Sequence, residues 1–301
     1  MVRRQGRNNR PAARGRLGWA GALVLLAAAS GLAASAAGAS AASRPTSSPV
    51  TFSVATYNIH GANRHLPQVV ANIRRTKADL VCLQEVNRGA SPTLKKHLRG
   101  QYPHMVFGLN QVADGFALLA RKPITHRGWV PAGRINYHSV LHARTELGGR
   151  QVQVVAVHLI PNIPKPRADV GEQWKHVARQ ERIRNRDVAR VAGLFSKDLP
   201  VLALGDFNCL SFQGAVTYMA SRGFVDSAAS VCERPDALYT WRGRFAGRLL
   251  HTRIDYIFHT AHFRTLASRV IHEAGSDHFP VVSTLAWAKR QAAGAPQGER
   301  G

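Results

Sequence analysis

Eight side chains in this sequence are of types that hold hard cations or move protons, and each stands at the edge of an apolar run. They are Asn58, Glu85, His158, Asp206, Asn208, Asp255, Asp277 and His278. Carboxylates and amide carbonyls are the oxygen donors that Mg²⁺ and Ca²⁺ take. Imidazoles beside carboxylates move protons near neutral pH. The stretch Leu204-Gly205-Asp206-Phe207-Asn208 is the most concentrated example. An aliphatic run from Pro200 to Leu204 delivers a tight glycine turn, and a carboxylate and an amide two residues apart leave a strand on one side. Taken singly, each residue has an ordinary reading: a turn Asn, a Glu opening a helix, a surface His. Their recurrence at the ends of separate core-like runs is what a shared small object, such as a metal-bound phosphate, demands.

The runs themselves read as the frame. Val50 to Tyr57 alternates and is rich in Thr, Val, Phe and Tyr, which predicts a strand ending at Asn58-Ile59-His60-Gly61. Leu66 to Lys77 carries Leu66, Val69, Val70 and Ile73 on one helical face, with Pro67 near its start. Asp79 to Leu83 predicts a buried strand ending in Gln84-Glu85, and Phe116 to Ala120 another, broken by Arg121-Lys122-Pro123. The residues between, with Arg88, Lys95, Lys96 and Arg99, read as loop. Val140–His142 and Gln151–Val157 form a predicted hairpin across Gly148-Gly149 that ends at His158. Ile160 to Arg167 holds three prolines and must be loop. Glu172 to Phe195 predicts a helix whose stripe is Val177, Ile183, Val188, Val191 and Leu194, with Arg179, Arg182, Arg184, Arg186 and Arg190 facing outward. Phe212, Val216 and Met219 suit a helix closed by Gly223. Arg253 to Phe258 and Phe279 to Leu285 are the last predicted strands. The irregular alternation favours a mixed α/β architecture over a purely parallel wound sheet.

Composition narrows the class. Arg3, Arg4, Arg7, Arg10, Arg14 and Arg16 precede an apolar run from Trp19 to about Leu32 and small-residue sites near Ala34-Ser35-Ala36 and Ala39-Ser40-Ala41. This predicts a signal peptide over 1–41, cleaved on export, followed by a linker over 42–49. An uncleaved membrane anchor is the alternative, disfavoured because the run is mostly alanine and broken by Gly31 and Gly38. Residues 288–301 read as a disordered tail, which leaves a domain over 50–287. The formal net charge of +24 falls to about +18 without the signal arginines, a balance that points to nucleic acid or anionic headgroups as partners. Cys82 lies in the apolar run Leu80–Leu83, whereas Cys209 and Cys232 lie in predicted loops of an exported chain and are the candidate disulfide pair.

Six ordered segments resemble the endonuclease/exonuclease/phosphatase superfamily: Ala55–Gly61, Leu83–Val86, Val157–Leu159, Gly205–Asn208, Arg253–Ile257 and Ser276–Val281. That group includes pancreatic-type deoxyribonucleases, apurinic endonucleases, bacterial sphingomyelinases and inositol polyphosphate phosphatases. The resemblance implies a four-layer sandwich, two packed mixed sheets flanked by helices, with the site where strand ends converge. It implies Glu85 as principal Mg²⁺ ligand, with Asn58 and Asp277 near the same ion and Mn²⁺ or Ca²⁺ able to substitute. It assigns Asp206 and Asn208 to the attacking water and the phosphate, and His278, oriented by Asp255, as base or as cation facing the phosphate. His158 is assigned as donor to the phosphoryl group or the leaving oxygen. Secreted deoxyribonucleases carry a disulfide near the turn that contains Cys209, which favours a Cys209–Cys232 link. Two departures stand out: His60 occupies the place of an acid in apurinic endonucleases, and the Glu that partners the first catalytic His in pancreatic-type deoxyribonucleases has only Asp114 near its place.

Within that resemblance the substrate is set by loops. The dispersed basic charge favours a secreted monomeric nuclease acting on DNA, and on RNA as well, without a stable protein partner. A sphingomyelinase-type phospholipid phosphodiesterase needs an apolar membrane-inserting hairpin, for which Trp129–Tyr137 is the sole candidate. A small-molecule phosphatase ranks lower, since the inositol phosphatases' extra motifs are not evident. An inactive basic binding protein ranks last, because every metal and acid–base position is filled.

Overall fold

The computed structural model describes residues 49–109, 115–133, 138–162, 169–245 and 248–289. The signal segment, nearly all of the linker, the tail beyond Lys289, Asp114 and most of the proline-rich loop after Ile160 lie outside them. In chain order the first elements are β1 (Thr51–Asn58), α1 (Leu66–Thr76), β2 (Leu80–Gln84), α2 (Ala90–Leu98), β3 (His104–Gly108) and β4 (Phe116–Ala120). Then come β5 (Ile124–Val130), β6 (Val140–Leu147), β7 (Arg150–His158), α3 (Val170–Ala192), β8 (Val201–Asp206), α4 (Gly214–Ser221) and β9 (Val225–Asp226). A hairpin of β10 (Trp241–Phe245) and β11 (Arg248–Thr252) precedes β12 (Asp255–His259), β13 (Phe263–Val270) and β14 (Val281–Trp287).

Two mixed sheets result, in the orders β13-β14-β1-β2-β4-β3 and β5-β6-β7-β8-β12-β9, with β10-β11 standing as a separate ribbon. Each sheet is built around one parallel pair, β1 with β2 and β7 with β8, and antiparallel strands complete it. Strand periodicity explains the four layers. Phe52 and Val54 of β1, Leu80 and Cys82 of β2, Val152, Val154 and Ala156 of β7, and Leu202 and Leu204 of β8 share the core between the sheets. The alternate residues, such as Ala55, Tyr57, Val81 and Leu83, pack outward against α1 and α2 through Val69, Ile73, Leu94 and Leu98. On the other flank Val155, Val157 and Ala203 meet α3 and α4 through Val188, Val191, Ala215 and Met219. The expected four-layer sandwich is the fold observed.

Several local expectations need correcting. The stretch read as loop around Lys95 and Lys96 forms α2 and leads into β3; Leu94 and Leu98 are its buried face, too short a pattern to stand out in sequence. Arg184 does not face outward: it is fully buried and donates from Nη1 to Ile160 O at 3.2 Å. The inner stripe of α3 is Gln180, Arg184, Asp187, Val188 and Val191, so polar residues occupy its first half and hide it from an apolar search. Arg179, Arg182 and Arg186 do line an open groove on that helix. Phe212 is 75% exposed and precedes α4 rather than packing it. All three cysteines are free: Cys209 is buried within the outer core, and Cys232 sits on a separate turn.

Candidate active site

The strand ends gather because of parity. Positions 58, 158, 206 and 255 continue the inward-facing series of β1, β7, β8 and β12, so each strand's core face ends in a polar side chain at the same rim. His158 is paired with Asp206 across the parallel register, and Asp206 with Asp255 across the antiparallel one. Gly205 permits this. It has φ of +152°, and a Cβ there would lie 1.8 Å from Val157 O. Beneath the rim, Thr56 and Gln84 hydrogen-bond each other and separate the apolar core from the charged cluster.

Glu85 reaches the cluster by another route, because its position has the outward parity of β2. Its backbone is left-handed, with φ of 58°, which re-aims the side chain. Two donors hold it there: Asn58 Nδ2 to Oε1 at 2.8 Å and Gly61 N to Oε2 at 2.7 Å. The same Asn58 Nδ2 donates to Asp206 Oδ2 at 3.1 Å. That oxygen also stands 3.6 Å from His278 Nε2 and 3.7 Å from His158 Nε2. His158 Nε2 is in turn 3.9 Å from Glu85 Oε1. Asn208, with φ of 48°, gives its backbone N–H to Asp206 Oδ1 at 2.8 Å. Its Nδ2 donates to Leu159 O at 2.9 Å, which leaves one amide hydrogen for a ligand.

Behind His278 runs a buried relay. Nδ1 of His278 is 2.9 Å from Asp255 Oδ2, and the same oxygen accepts from Thr240 Oγ1 at 2.6 Å. Thr240 Oγ1 itself accepts from the N–H groups of Ile254 and Asp255. Burial disfavours charge on His278, but the Asp255 and Asp206 carboxylates outweigh it and push the imidazole up to about 10. Burial and then Asp255 push Asp206 upward as well, against the opposing pull of His278, Asn208 and Asn58. His158 goes the other way. Burial, then His138 stacked on it at 4.1 Å and His278, hold it well below its ordinary value, so it is neutral. Its Nδ1 has no partner among the described residues. The two imidazoles that face the Asp206 oxygen are thus biased in opposite directions, His278 toward the cation and His158 toward the neutral ring.

Asp277 completes the rim. Trp241 Nε1 donates to its Oδ2 at 3.1 Å, Ser276 Oγ to its Oδ1 at 3.3 Å, and His60 Nδ1 lies 3.5 Å from Oδ1. Ser276 Oγ also reaches Asn58 O at 3.0 Å, so Asp277 is tied to the end of β1. The side chains of Glu85 and Asp277 are 24% and 41% exposed, unlike those of Asp206 and Asp255. All eight residues expected from sequence thus meet at one end of the sandwich. Thr240, Trp241, Ser276 and His138 were not expected. Thr240 immediately precedes β10 and Trp241 opens it, in a segment with no strand pattern, and their partners are distant in sequence, so no local signal marks them.

Where a hard cation fits follows from the donors. Among the described residues, Asp206, Asp255 and His278 lie close enough to surround an ion. However, Asp255 Oδ2 and His278 Nδ1 are already bonded to each other, and the group is sealed from solvent. Glu85 and Asp277, 24% and 41% exposed, are carboxylates of this rim that stay open to solvent and are of the oxygen-donor type that Mg²⁺ or Ca²⁺ takes. The buried Asn58 amide oxygen behind them accepts from His60 N at 3.0 Å.

The model of the Endonuclease/Exonuclease/phosphatase family matches residues 55–278. The chain belongs to that family. Members of the endonuclease/exonuclease/phosphatase family are metal-dependent phosphoesterases, and this chain is one by membership. No curated protein matches the chain in sequence. Among solved structures, an endonuclease/exonuclease/phosphatase from Beutenbergia cavernae is 22% identical, with TM-score 0.62 over 79% of this chain and 72% of that one. D. rerio TDP2, solved with a single-strand DNA product, is 16% identical, with TM-score 0.61 over 78% of this chain and 98% of that one. A family protein from Leptotrichia buccalis is also 16% identical, with TM-score 0.58 over 78% and 100%. At these identities the likeness is one of fold.

Proposed function

We propose that this phosphoesterase is an exported Mg²⁺-dependent nuclease that hydrolyses phosphodiester bonds of DNA, with RNA as a second substrate. The observation that carries the reading is the gathering of Glu85, His158, Asp206 and His278, with His158 Nε2 at 3.9 Å from Glu85 Oε1 and at 3.7 Å from Asp206 Oδ2, which lies 3.6 Å from His278 Nε2, beside a groove that Arg64 and Arg242 line. The net charge of about +18 that remains of +24 once the six signal arginines are removed supports a polyanionic substrate. The likeness in fold to a protein solved with single-strand DNA product points the same way.

Glu85, Asp277 and Asn58 would hold the cation, which supplies charge neutralisation at a phosphate when bound. The rest falls to the chain's own groups. Asp206 Oδ2, facing both imidazoles, accepts the hydrogen bond of the attacking water and draws off its proton as the oxygen–phosphorus bond forms. The Asn208 amide orients the phosphate. His278, kept cationic by Asp255, faces the developing negative charge. Neutral His158 donates a hydrogen bond from Nε2 to the phosphoryl oxygen or to the leaving oxygen, and the leaving oxygen takes its proton from solvent water as its bond to phosphorus breaks. Thr240 and Asp255 keep the His278 ring in one orientation, and no covalent enzyme intermediate is required.

Export rests on the arginine-rich, then apolar, N-terminus read as a signal over 1–41, with the domain over 50–287 as the mature monomeric part. No helix of the described residues is long and apolar enough to cross a membrane. Of the Trp129–Tyr137 segment that the phospholipid reading needs, residues 134–137 lie outside the described residues, and Trp129 packs on Phe116 at 6.3 Å between ring centroids and covers Gly108, which favours the nuclease reading. A panel of duplex DNA, RNA, sphingomyelin and bis-p-nitrophenyl phosphate, each with and without EDTA, tests the proposal. DNA cleavage that EDTA abolishes is expected; phosphocholine release without DNA cleavage would reject it.

A further inference from the structure

Beside Asp277 the rim opens into a groove of about 600 Å³ whose lining includes His60, Arg64, His65, Gln68 and Arg242. Its walls come from segments far apart in sequence, the loop after β1, the turn before Asp277 and the start of β10, and the chain binds them together. Asn63 Nδ2 donates to Ile59 O at 2.6 Å and to Gly275 O, while Asn63 Oδ1 accepts from His65 N. Asn72 Nδ2 holds Ala274 O at 2.8 Å, and Arg242 N donates to Asp277 O at 2.9 Å. Arg64 and Arg242 are thereby anchored by their backbones at set places relative to the metal-facing carboxylate. Both side chains are exposed, and neither guanidinium has an acidic partner among the described residues. Among the described residues Asp277 is the sole acid in the lining, at the end where the cation would sit.

Two guanidiniums without a carboxylate partner among the described residues, carried into one groove by separate segments, present planar forks of donors suited to phosphate oxygens. That of Arg242 lies over the Phe279 ring at 5.7 Å from its centre. A chain molecule whose scissile phosphate lies at Asp206 and His278 would run its next phosphate past Asp277 into this groove. We propose that the groove is a second phosphate subsite, with Arg64 and Arg242 binding the phosphate next to the scissile one. The inference rests on the hydrolase reading above and deepens it. The substrate class becomes a chain of consecutive phosphodiesters, and an isolated phosphodiester such as a lipid headgroup fills only half of the site.

The test is a fluorescence-anisotropy titration of the full chain with a labelled short single-stranded oligodeoxynucleotide in Mg²⁺ over a series of salt concentrations. It is carried out in a His278→Ala background so that the probe survives. Arg64→Gln and Arg242→Gln are each expected to weaken binding by about tenfold and to lower the slope of log K against log salt by about one. Arg222→Gln, an exposed arginine at the end of α4 that does not line the groove, is the charge-matched control and is expected to change neither. Unchanged affinity and slope in both groove variants, or equal weakening by the control, overturns the subsite. In parallel, the chain with His278 intact is assayed on the oligonucleotide and on bis-p-nitrophenyl phosphate. If it cleaves neither while the groove variants still lose binding, the nuclease reading fails, and with it the place of the groove beside a scissile phosphate, while the groove stands as a phosphate-binding site. If it cleaves both and binding is unaffected, the reverse holds.

Discussion

Asn58 Nδ2 donates to Asp206 Oδ2 at 3.1 Å, and the two residues belong to different sheets. The same nitrogen donates to Glu85 Oε1 at 2.8 Å, so one amide is shared between two carboxylates that would otherwise repel. The amide thus sets the distance between the Glu85 and Asp206 carboxyl groups.

Asn58→Ala should therefore lower stability by about 1–3 kcal/mol, the cost of leaving buried polar groups unpaired, and should lower activity with it. Asn58→Asp should be worse on both counts, because it replaces the donor with a third carboxylate. Urea unfolding at neutral pH checks the order; an Asp variant as stable as the parent would show that the amide is not what separates the charges.

The relay Thr240–Asp255–His278 makes a prediction about non-additivity. His278→Ala should cut kcat by about 10²–10⁴. Asp255→Asn should cost less, since it removes the orienting charge but leaves the ring. The double substitution should be little worse than His278→Ala alone, because groups that act as a unit do not contribute independently. Thr240→Val, which removes the hydroxyl that bonds Asp255 Oδ2 at 2.6 Å, should lower kcat with little change in KM. Multiplying losses in the double variant would mean that Asp255 acts separately from His278.

Metal dependence should reside in the exposed carboxylates. EDTA should abolish hydrolysis, and Mg²⁺ or Mn²⁺ should restore it. Glu85→Gln should weaken Mg²⁺ binding, measured calorimetrically, by more than tenfold, whereas Asp255→Asn should leave that affinity close to the parent's. Equal losses in the two variants would move the ion toward the sealed Asp206, Asp255 and His278 group.

A pH effect on stability is expected away from the site, at His259. This ring is buried between Thr260 O at 2.9 Å from Nδ1 and Thr265 Oγ1 at 2.8 Å from Nε2, an arrangement that suits the neutral tautomer. Burial holds His259 below its ordinary value, against the Thr260 carbonyl and Asp226. Because the unfolded chain takes up a proton that the fold refuses, this contribution is fully present above about pH 6.5 and is lost as pH falls through the lower folded value. Between about pH 6.5 and pH 5 the parent's Tm should drop more than that of His259→Gln. Parallel curves for the two proteins would rule the effect out.

Much of this molecule is legible in the residues taken in order. Alternation in β1, β7 and β8 announces strands, and each ends in a side chain chemically unlike the run before it, so Asn58, His158 and Asp206 can be named as candidate site residues without coordinates. Periodicity is a local property, and so is the break in it. Where the pattern is polar, reading fails for a physical reason: α3 buries Arg184 and Asp187 along its inner stripe, because a guanidinium bonded to Ile160 O can face inward as a valine does. Cys209 and Cys232 look like a pair only until Cys209 is seen inside the core.

Partnership belongs to tertiary structure alone. Nothing near Thr240 in the chain says that its hydroxyl completes the His278 relay, and nothing near Asn63 says that it closes the groove between Arg64 and Arg242. Sequence by itself determined which side chains end the strands and of what chemistry they are, because that depends on alternation over a few residues. Only the packing of one sheet on the other decided which of them share a hydrogen bond. Those distances are set by two layers whose strands lie far apart along the chain.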